Sequence, residues 1–308
     1  MNRRQFLAAS AALLAAPVAH AAPVGPRPVP LPGTTPGRLA RFMGPISRLN
    51  VNDVQIAYRD FGEGPPLLLL TERSTSMSWW LAELLQRLAL RYRILTMDYR
   101  GVGYSTDNLA LEMTIPTLAS DAAGLLWGLG LSSASVVGWG LGACVGLTLA
   151  LNEPRRLERL VLSAGDPGGS HSQAPIPEIE TLLADPSSQA EQLMAVMFSP
   201  AAREAKQTFL ASLQAMPTER TPETTAARQA HAVQQWRADD RTHERLSSLR
   251  LPVLVHYGTR DVVTPPANGE WLARHIPEAG REAVEDGSHA CLFEQWPSFA
   301  ETLEGFLR

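Results

Sequence analysis

Lysine is nearly missing from this chain of 308 residues: Lys206 stands alone among 27 basic side chains, and the rest are arginine. So lopsided a ratio reflects base composition more than a task. The net charge is −4 and no basic cluster interrupts the body of the chain, which argues against nucleic acid as a partner. His171, His231, His243, His256 and His275 show no paired ligand spacing, so neither a metal nor a cofactor is expected. The longest apolar run, Leu7–Val18, is shorter than the about 20 residues a membrane-spanning helix needs. Internal repeats are absent. What is present is 45% hydrophobic and 19% charged residues at a mean hydropathy of −0.07, the composition of a globular chain with ample core. Its length allows one large α/β domain or two small ones.

The amino-terminal segment has the features of an export signal. Arg3-Arg4 and Gln5-Phe6-Leu7 open the apolar run, and Ala19-His20-Ala21 has the small-x-small form of a cleavage site, so residues 1–21 are read as a signal peptide. The segment Asn2-Arg3-Arg4-Gln5-Phe6-Leu7 resembles the twin-arginine signal, which exports proteins already folded. Removal takes away two arginines and no acid, so the mature net charge moves from −4 to −6. The expected location is periplasmic or secreted, with no stable membrane anchor after cleavage. Residues 22–45, rich in Pro and Gly, read as a linker.

From Ile46 the pattern becomes regular. Arg48–Val51 and Val54–Phe61 flank Asn52-Asp53 as a hairpin, and the all-apolar Leu67–Leu70 is a strand buried on both faces. Further strands are expected at Arg93–Met97, Ser135–Val137, Leu157–Ser163, Leu251–Tyr257 and Arg281–Glu285. Between them, helices are expected at Trp79–Leu90, Ile115–Leu129, Leu141–Asn152, Pro266–Ile276 and Phe293–Leu307. This alternation calls for an α/β fold: a mostly parallel eight-stranded sheet with helices on both faces. The rhythm breaks after the sixth strand, where residues 166–247 carry only helical stretches (Ile179–Leu183, Ala190–Met197, Ala201–Leu213, Thr225–Trp236) and read as a helical lid. The core is then 46–165 with 248–308.

Ligands of such sheets bind beyond the carboxyl ends of the strands, so the turns after the strands are where chemistry is sought. Five turns, in order, resemble those of the α/β-hydrolase superfamily, in its lidded single-domain esterase, lactonase and haloperoxidase-like branch. They are Gly64-Pro65-Pro66, Asp98-Tyr99-Arg100-Gly101-Val102-Gly103-Tyr104-Ser105, Gly138-Trp139-Gly140-Leu141-Gly142, Gly258-Thr259-Arg260-Asp261 and Gly287-Ser288-His289. The resemblance covers Leu49 to Leu307. It implies a catalytic triad whose acid is Asp261, whose base is His289, and whose nucleophile belongs at the centre of a G-x-S-x-G elbow.

That centre is Gly140, which has no side chain, so covalent acyl transfer through it is impossible. The turn after the third strand departs as well. Where the family has His-Gly beside the developing oxyanion, this chain has Thr71-Glu72 followed by Arg73. A carboxylate facing that site opposes growing negative charge. Thr71, Glu72, Trp139 and Leu141 are the expected binding residues, with Trp139 and Trp79 or Trp80 as pocket walls.

Two functional readings follow. In the first, the protein has lost serine-hydrolase chemistry, as a degenerate or non-catalytic member of the fold that binds a small apolar ligand under its lid. In the second, the protein is a hydrolase or another lyase- or oxygenase-type enzyme in which His289 and Asp261 act as a general base on an ester, lactone or acidic C–H substrate, with Glu72 as a second acid/base group. Gly142-Ala143-Cys144-Val145-Gly146 offers a cysteine elbow if the turn is shifted by four residues, and Ser74, Ser76 and Ser78 are candidate displaced hydroxyls. Cys144 and Cys291 are either partners in a disulfide or two small buried hydrophobes. The sequence does not indicate an oligomeric state.

Overall fold

The computed structural model describes residues 42–184, 190–216 and 220–308. The signal peptide and nearly all of the linker lie outside them. Eight strands form one sheet: β1 (Ser47–Val51), β2 (Val54–Phe61), β3 (Pro66–Leu70), β4 (Arg93–Met97), β5 (Ala134–Trp139), β6 (Leu157–Ser163), β7 (Val253–Gly258) and β8 (Gly280–Val284). Their spatial order is β1-β2-β4-β3-β5-β6-β7-β8. β1 and β2 form the hairpin, β2 runs antiparallel to β4, and every pairing from β4 onward is parallel.

Strand alternation sorts the core into two layers. Leu68 and Leu70 of β3 face a cluster built on α2 (Ile115–Gly128) and α3 (Leu141–Asn152), whereas Leu67 and Leu69 face a second one. That second layer carries α1 (Ala82–Leu88) and, from the other end of the chain, a helix ending at Phe306. With both faces covered, the central strands show no polar alternation. Thr114 caps α2, its hydroxyl accepting from the Thr117 backbone N–H.

Between β6 and β7 lie α4 (Pro177–Ala184), α5 (Ala190–Met197), α6 (Arg203–Gln214) and α7 (Glu223–Arg237). Met194, Met197, Phe198 and Phe209 of this insert join the second core layer. The insert is also stitched to the core by polar contacts. The Ala82 N–H donates to Ser212 Oγ at 3.0 Å and the Ser74 N–H to Gln229 Oε1 at 2.6 Å, while within the insert Arg237 Nε donates to Asp166 Oδ2 at 2.9 Å. After β7 come α8 (Pro266–His275), the short α9 (Cys291–Glu294) and α10 (Trp296–Phe306). Among the described residues no helix is long and apolar enough to cross a membrane.

Most element boundaries shift by one or two residues from the sequence expectation, and three differences have a clear local reason. The expected helix Trp79–Leu90 is a 3-10 turn at Met77–Trp79 followed by α1, because Trp80 and Leu81 are extended. The expected strand Leu251–Tyr257 starts only at Val253, since Pro252 cannot donate to the ladder. The helix expected to run Phe293–Leu307 is split at Gln295, and Pro297 opens α10 as a first-turn residue.

Candidate functional site

The β5–α3 turn is tight enough to demand glycine. A Cβ at Gly138 would run into the Gly142 carbonyl, and one at Gly142 into the Leu70 carbonyl, so the helix start presses directly on two strand ends. Gly140, the residue ahead of α3, sits at φ 55° and ψ −113°. The cysteine register is thereby corrected: Cys144 lies within α3, after the turn, with its Sγ 3.7 Å from the Asp166 carbonyl oxygen.

The space in front of Gly140 is filled by another residue. Glu72, just beyond β3 and 7% exposed, projects its carboxylate there; a Cβ on Gly140 would overlap Oε2 outright and stand 2.5 Å from Cδ and 3.2 Å from His289 Nε2. Oε2 accepts a 2.7 Å hydrogen bond from the Leu141 N–H, the first amide of α3. It also lies 3.5 Å from His289 Nε2, while Oε1 is 3.7 Å from Arg73 Nε. Glu72 is held there by its loop: Thr75 Oγ1 donates to the Glu72 carbonyl at 2.6 Å and Thr71 Oγ1 to the Thr75 carbonyl at 3.2 Å. Thr71, expected to touch ligand, thus braces this loop.

On the far side of the imidazole, His289 Nδ1 is 2.9 Å from Asp261 Oδ2. Asp261 Oδ1 accepts from the Val263 and Thr264 N–H groups, both at 2.8 Å, which orients this side chain toward the imidazole. His289 is wholly buried. Trp139 is buried too, and instead of walling a pocket it backs the histidine: its Nε1 donates to the His289 carbonyl at 3.0 Å and its ring lies 5.5 Å from the imidazole. Trp80 is also buried, edge-on to Phe293.

These neighbours set the charge of the site. Burial by itself would pull the imidazole down, yet Asp261 and Glu72 outweigh it and lift His289 from 6.5 to about 10. Burial would likewise raise the Glu72 carboxyl, but His289 and then Arg73 hold it below the ordinary value of 4.5. The upward shift favours an imidazolium facing the Glu72 carboxylate. The 3.5 Å separation is an ion contact and not a hydrogen bond, so the buried Nε2 proton has no hydrogen-bond acceptor. Raised in this way, His289 favours its protonated form, and the Glu72 carboxylate is a second titratable group facing the same space.

The other candidates fall elsewhere. Cys144 and Cys291 are buried free thiols, Cys291 Sγ being 3.8 Å from His256 Nδ1, so the disulfide is not formed. Burial pushes both thiols well above their usual range, which disfavours thiolate chemistry. Asp98 serves its turn, accepting from the Met77 and Tyr104 N–H groups at 2.7 and 2.9 Å. Among the described residues no cluster of His, Cys, Asp and Glu could hold a metal. The part-buried pair of Arg237 with Asp166 and the buried pair of Arg100 with Asp121, at 2.7 Å, are ones that sequence spacing did not reveal.

Known proteins share this fold. The chain is 28% identical over 264 residues to a pimeloyl-[acyl-carrier protein] methyl ester esterase of Aeromonas hydrophila, covering 82% of this chain and all of the relative. The enol-lactonase of Burkholderia xenovorans superposes with a TM-score of 0.71 at 26% identity, over 84% of this chain and 99% of that one. A hydrolase of Pseudomonas aeruginosa gives 0.70 at 30% identity, over 86% and 98%. The sequence profile of the alpha/beta hydrolase fold matches residues 65–295, and the protein belongs to that family.

Proposed function

We propose that this protein is a hydrolase of small esters or lactones whose proton acceptor is Glu72 and whose proton donor is His289, with Gly140 standing where the family's serine nucleophile would be. The observation that carries the reading is the Glu72 carboxylate, held on the Leu141 N–H and facing the protonated His289 across 3.5 Å. The kinship with an esterase and a lactonase supports the substrate class.

In the proposed reaction a water molecule gives its proton to Glu72 as its oxygen bonds to the acyl carbon. Glu72, once neutral, is a weaker acceptor and releases the Leu141 N–H to the developing oxyanion. The bond to the alkoxy group breaks as His289 donates its Nε2 proton to the leaving oxygen. Glu72 then returns the water-derived proton to His289, restoring the resting ion pair. Ester and water have become acid and alcohol, with no intermediate on the protein. Asp261 orients His289 and stabilises its charge throughout.

The test is turnover of short p-nitrophenyl esters by the wild type, by Glu72→Gln and by His289→Ala. Each substitution should lower kcat by about 10²-fold or more, and a fluorophosphonate should leave the mass of the wild type unchanged. Activity unaffected by Glu72→Gln overturns the assignment. An absence of turnover, combined with thermal stabilisation by apolar ligands, would establish the non-catalytic reading instead. The export signal is proposed on the residues of the amino terminus alone, from Arg3-Arg4 to Ala21.

A further inference from the structure

Both halves of the Glu72–His289 contact are tied to the helical insert as well as to the sheet. On the Glu72 side the tie is at Ser74, two residues further on. Its N–H donates to Gln229 Oε1 of α7 at 2.6 Å, and its carbonyl accepts from Thr221 Oγ1, just ahead of α7, at 2.9 Å. Ser74 sits at φ 60°, a backbone shape that a residue with a Cβ seldom holds unless its surroundings over-determine it. Gln229 is wholly buried, yet its Nε2 has no hydrogen-bond partner, so the bond from Ser74 is what fixes this amide. An unpaired buried donor is a cost, and the tie to Ser74 is what offsets it.

On the His289 side the tie is Glu294, the last residue of α9. Its Oε2 accepts at 3.1 Å from the N–H of Ser288, immediately before the histidine, and its Oε1 accepts from the N–H of Ser199, between α5 and α6. The amide just after the histidine, that of Ala290, donates to the Met197 carbonyl at the end of α5 at 2.8 Å. Phe293, beside Glu294, stacks on Phe209 of α6 with ring centroids 5.1 Å apart and meets Trp139 edge-on at 5.0 Å. The residues on either side of His289 are thus bonded to the insert, one directly and one through a single carboxylate.

We propose that the insert is a clamp that sets the separation of Glu72 and His289, with Gln229 and Glu294 as its positioning residues. The effect on rate rests on the hydrolase reading above; the effect on the charge of His289 rests on the pair's geometry alone. Releasing either loop lengthens the 3.5 Å contact, and the hold of a carboxylate on the imidazole proton weakens with distance. The two ties are independent, because they use different stretches of the insert and act on different loops of the core.

The experiment follows the 13Cε1 resonance of His289 against pH, assigned by its loss in His289→Ala, together with Tm and with kcat and KM on p-nitrophenyl acetate. In Gln229→Met, which keeps the side chain's length and loses the acceptor, the His289 midpoint should fall from about 10 by about one pH unit or more. Its kcat should fall about tenfold or more with KM little changed. Thr221→Val, at a part-exposed position, should give a smaller fall in the same direction. Glu294→Met should act like Gln229→Met, whereas Glu294→Gln, which keeps one acceptor oxygen, should lose less. These two milder variants carry the test if the others do not fold. An unmoved midpoint, whatever happens to Tm, overturns the clamp and leaves the hydrolase reading standing if turnover persists. Equal falls in Glu294→Gln and Glu294→Met with none in Gln229→Met would report lost charge alone and overturn it too. A lowered midpoint in a protein that turns over no ester supports the clamp while the hydrolase reading fails.

Discussion

Gly140→Ser is the substitution that family resemblance invites, and the structure predicts that it fails alone. The new Cβ would overlap Glu72 Oε2, so the carboxylate must leave. Leaving breaks its hydrogen bond from the Leu141 N–H and its contact with His289. A charge-assisted bond of that kind is worth roughly 1.5–3 kcal/mol. The backbone adds to the cost, since Gly140 holds φ 55° and ψ −113°, a sparsely populated conformation for any residue with a Cβ, at roughly 1–3 kcal/mol. The sum, about 2.5–6 kcal/mol, corresponds to a fall in Tm of about 5–20 °C for a domain of this size. If Glu72 stays near, it also keeps negative charge beside the oxyanion, where loss of effective stabilisation costs about 10²–10³ in rate.

Combining Gly140→Ser with Glu72→Gly removes the overlap, frees the Leu141 N–H and takes one of the two charges away from His289. The double variant should therefore exceed the single one at least tenfold or so in kcat/KM on a short acyl ester, taking the low side of that range. It should also be labelled by a fluorophosphonate, and should recover part of the lost Tm, a non-additivity that a double-mutant cycle measures. A single variant as active and as stable as the double would refute the claim that Glu72 occupies the site.

The pH dependence separates the proposed base from the family's. With Glu72 as acceptor and His289 as donor, kcat/KM should stay level through neutrality and fall as His289 loses its proton near pH 10; a profile rising between pH 6 and 7.5 or so would point to a histidine base. Stability should follow the same group. A histidine raised from 6.5 to about 10 contributes fully below its unfolded value, so Tm should decline as pH climbs from about 6.5 through about 10, and less steeply in Glu72→Gln. Trp139→Phe, which removes the donor to the His289 carbonyl, should cost about 1 kcal/mol in denaturant titration; no measurable change would mean that this bond does not hold the loop. Cys144 and Cys291 should react with a thiol reagent only on unfolding, and a mass two hydrogens lower without reductant would contradict the free thiols. Intact mass of exported material should begin at Ala22, and finding Met1 retained would refute the cleavage site.

The sequence by itself determined the layers of this protein and the turns where chemistry could sit. Runs such as Leu67–Leu70 and the strand–helix alternation are local patterns, and they specify buried strands and amphipathic helices without knowledge of partners. The glycines at 138 and 142 were legible for the same reason, since a turn that brings backbone against backbone admits nothing larger. Asp261 and His289 could be placed by order and spacing within the resemblance. Tertiary structure alone decided what surrounds those residues. Glu72 meets the amide of Leu141, 69 positions later, and the meeting converts a suspected obstacle into the group occupying the centre of the site. It also fixes the charge of His289, because a proton's affinity for imidazole depends on burial and on both flanking carboxylates, and those are distances in space. Cys144 and Cys291 remained separate for the same physical reason: a covalent bond forms between atoms brought together by the fold, and here the fold sends one toward Asp166 and the other toward His256.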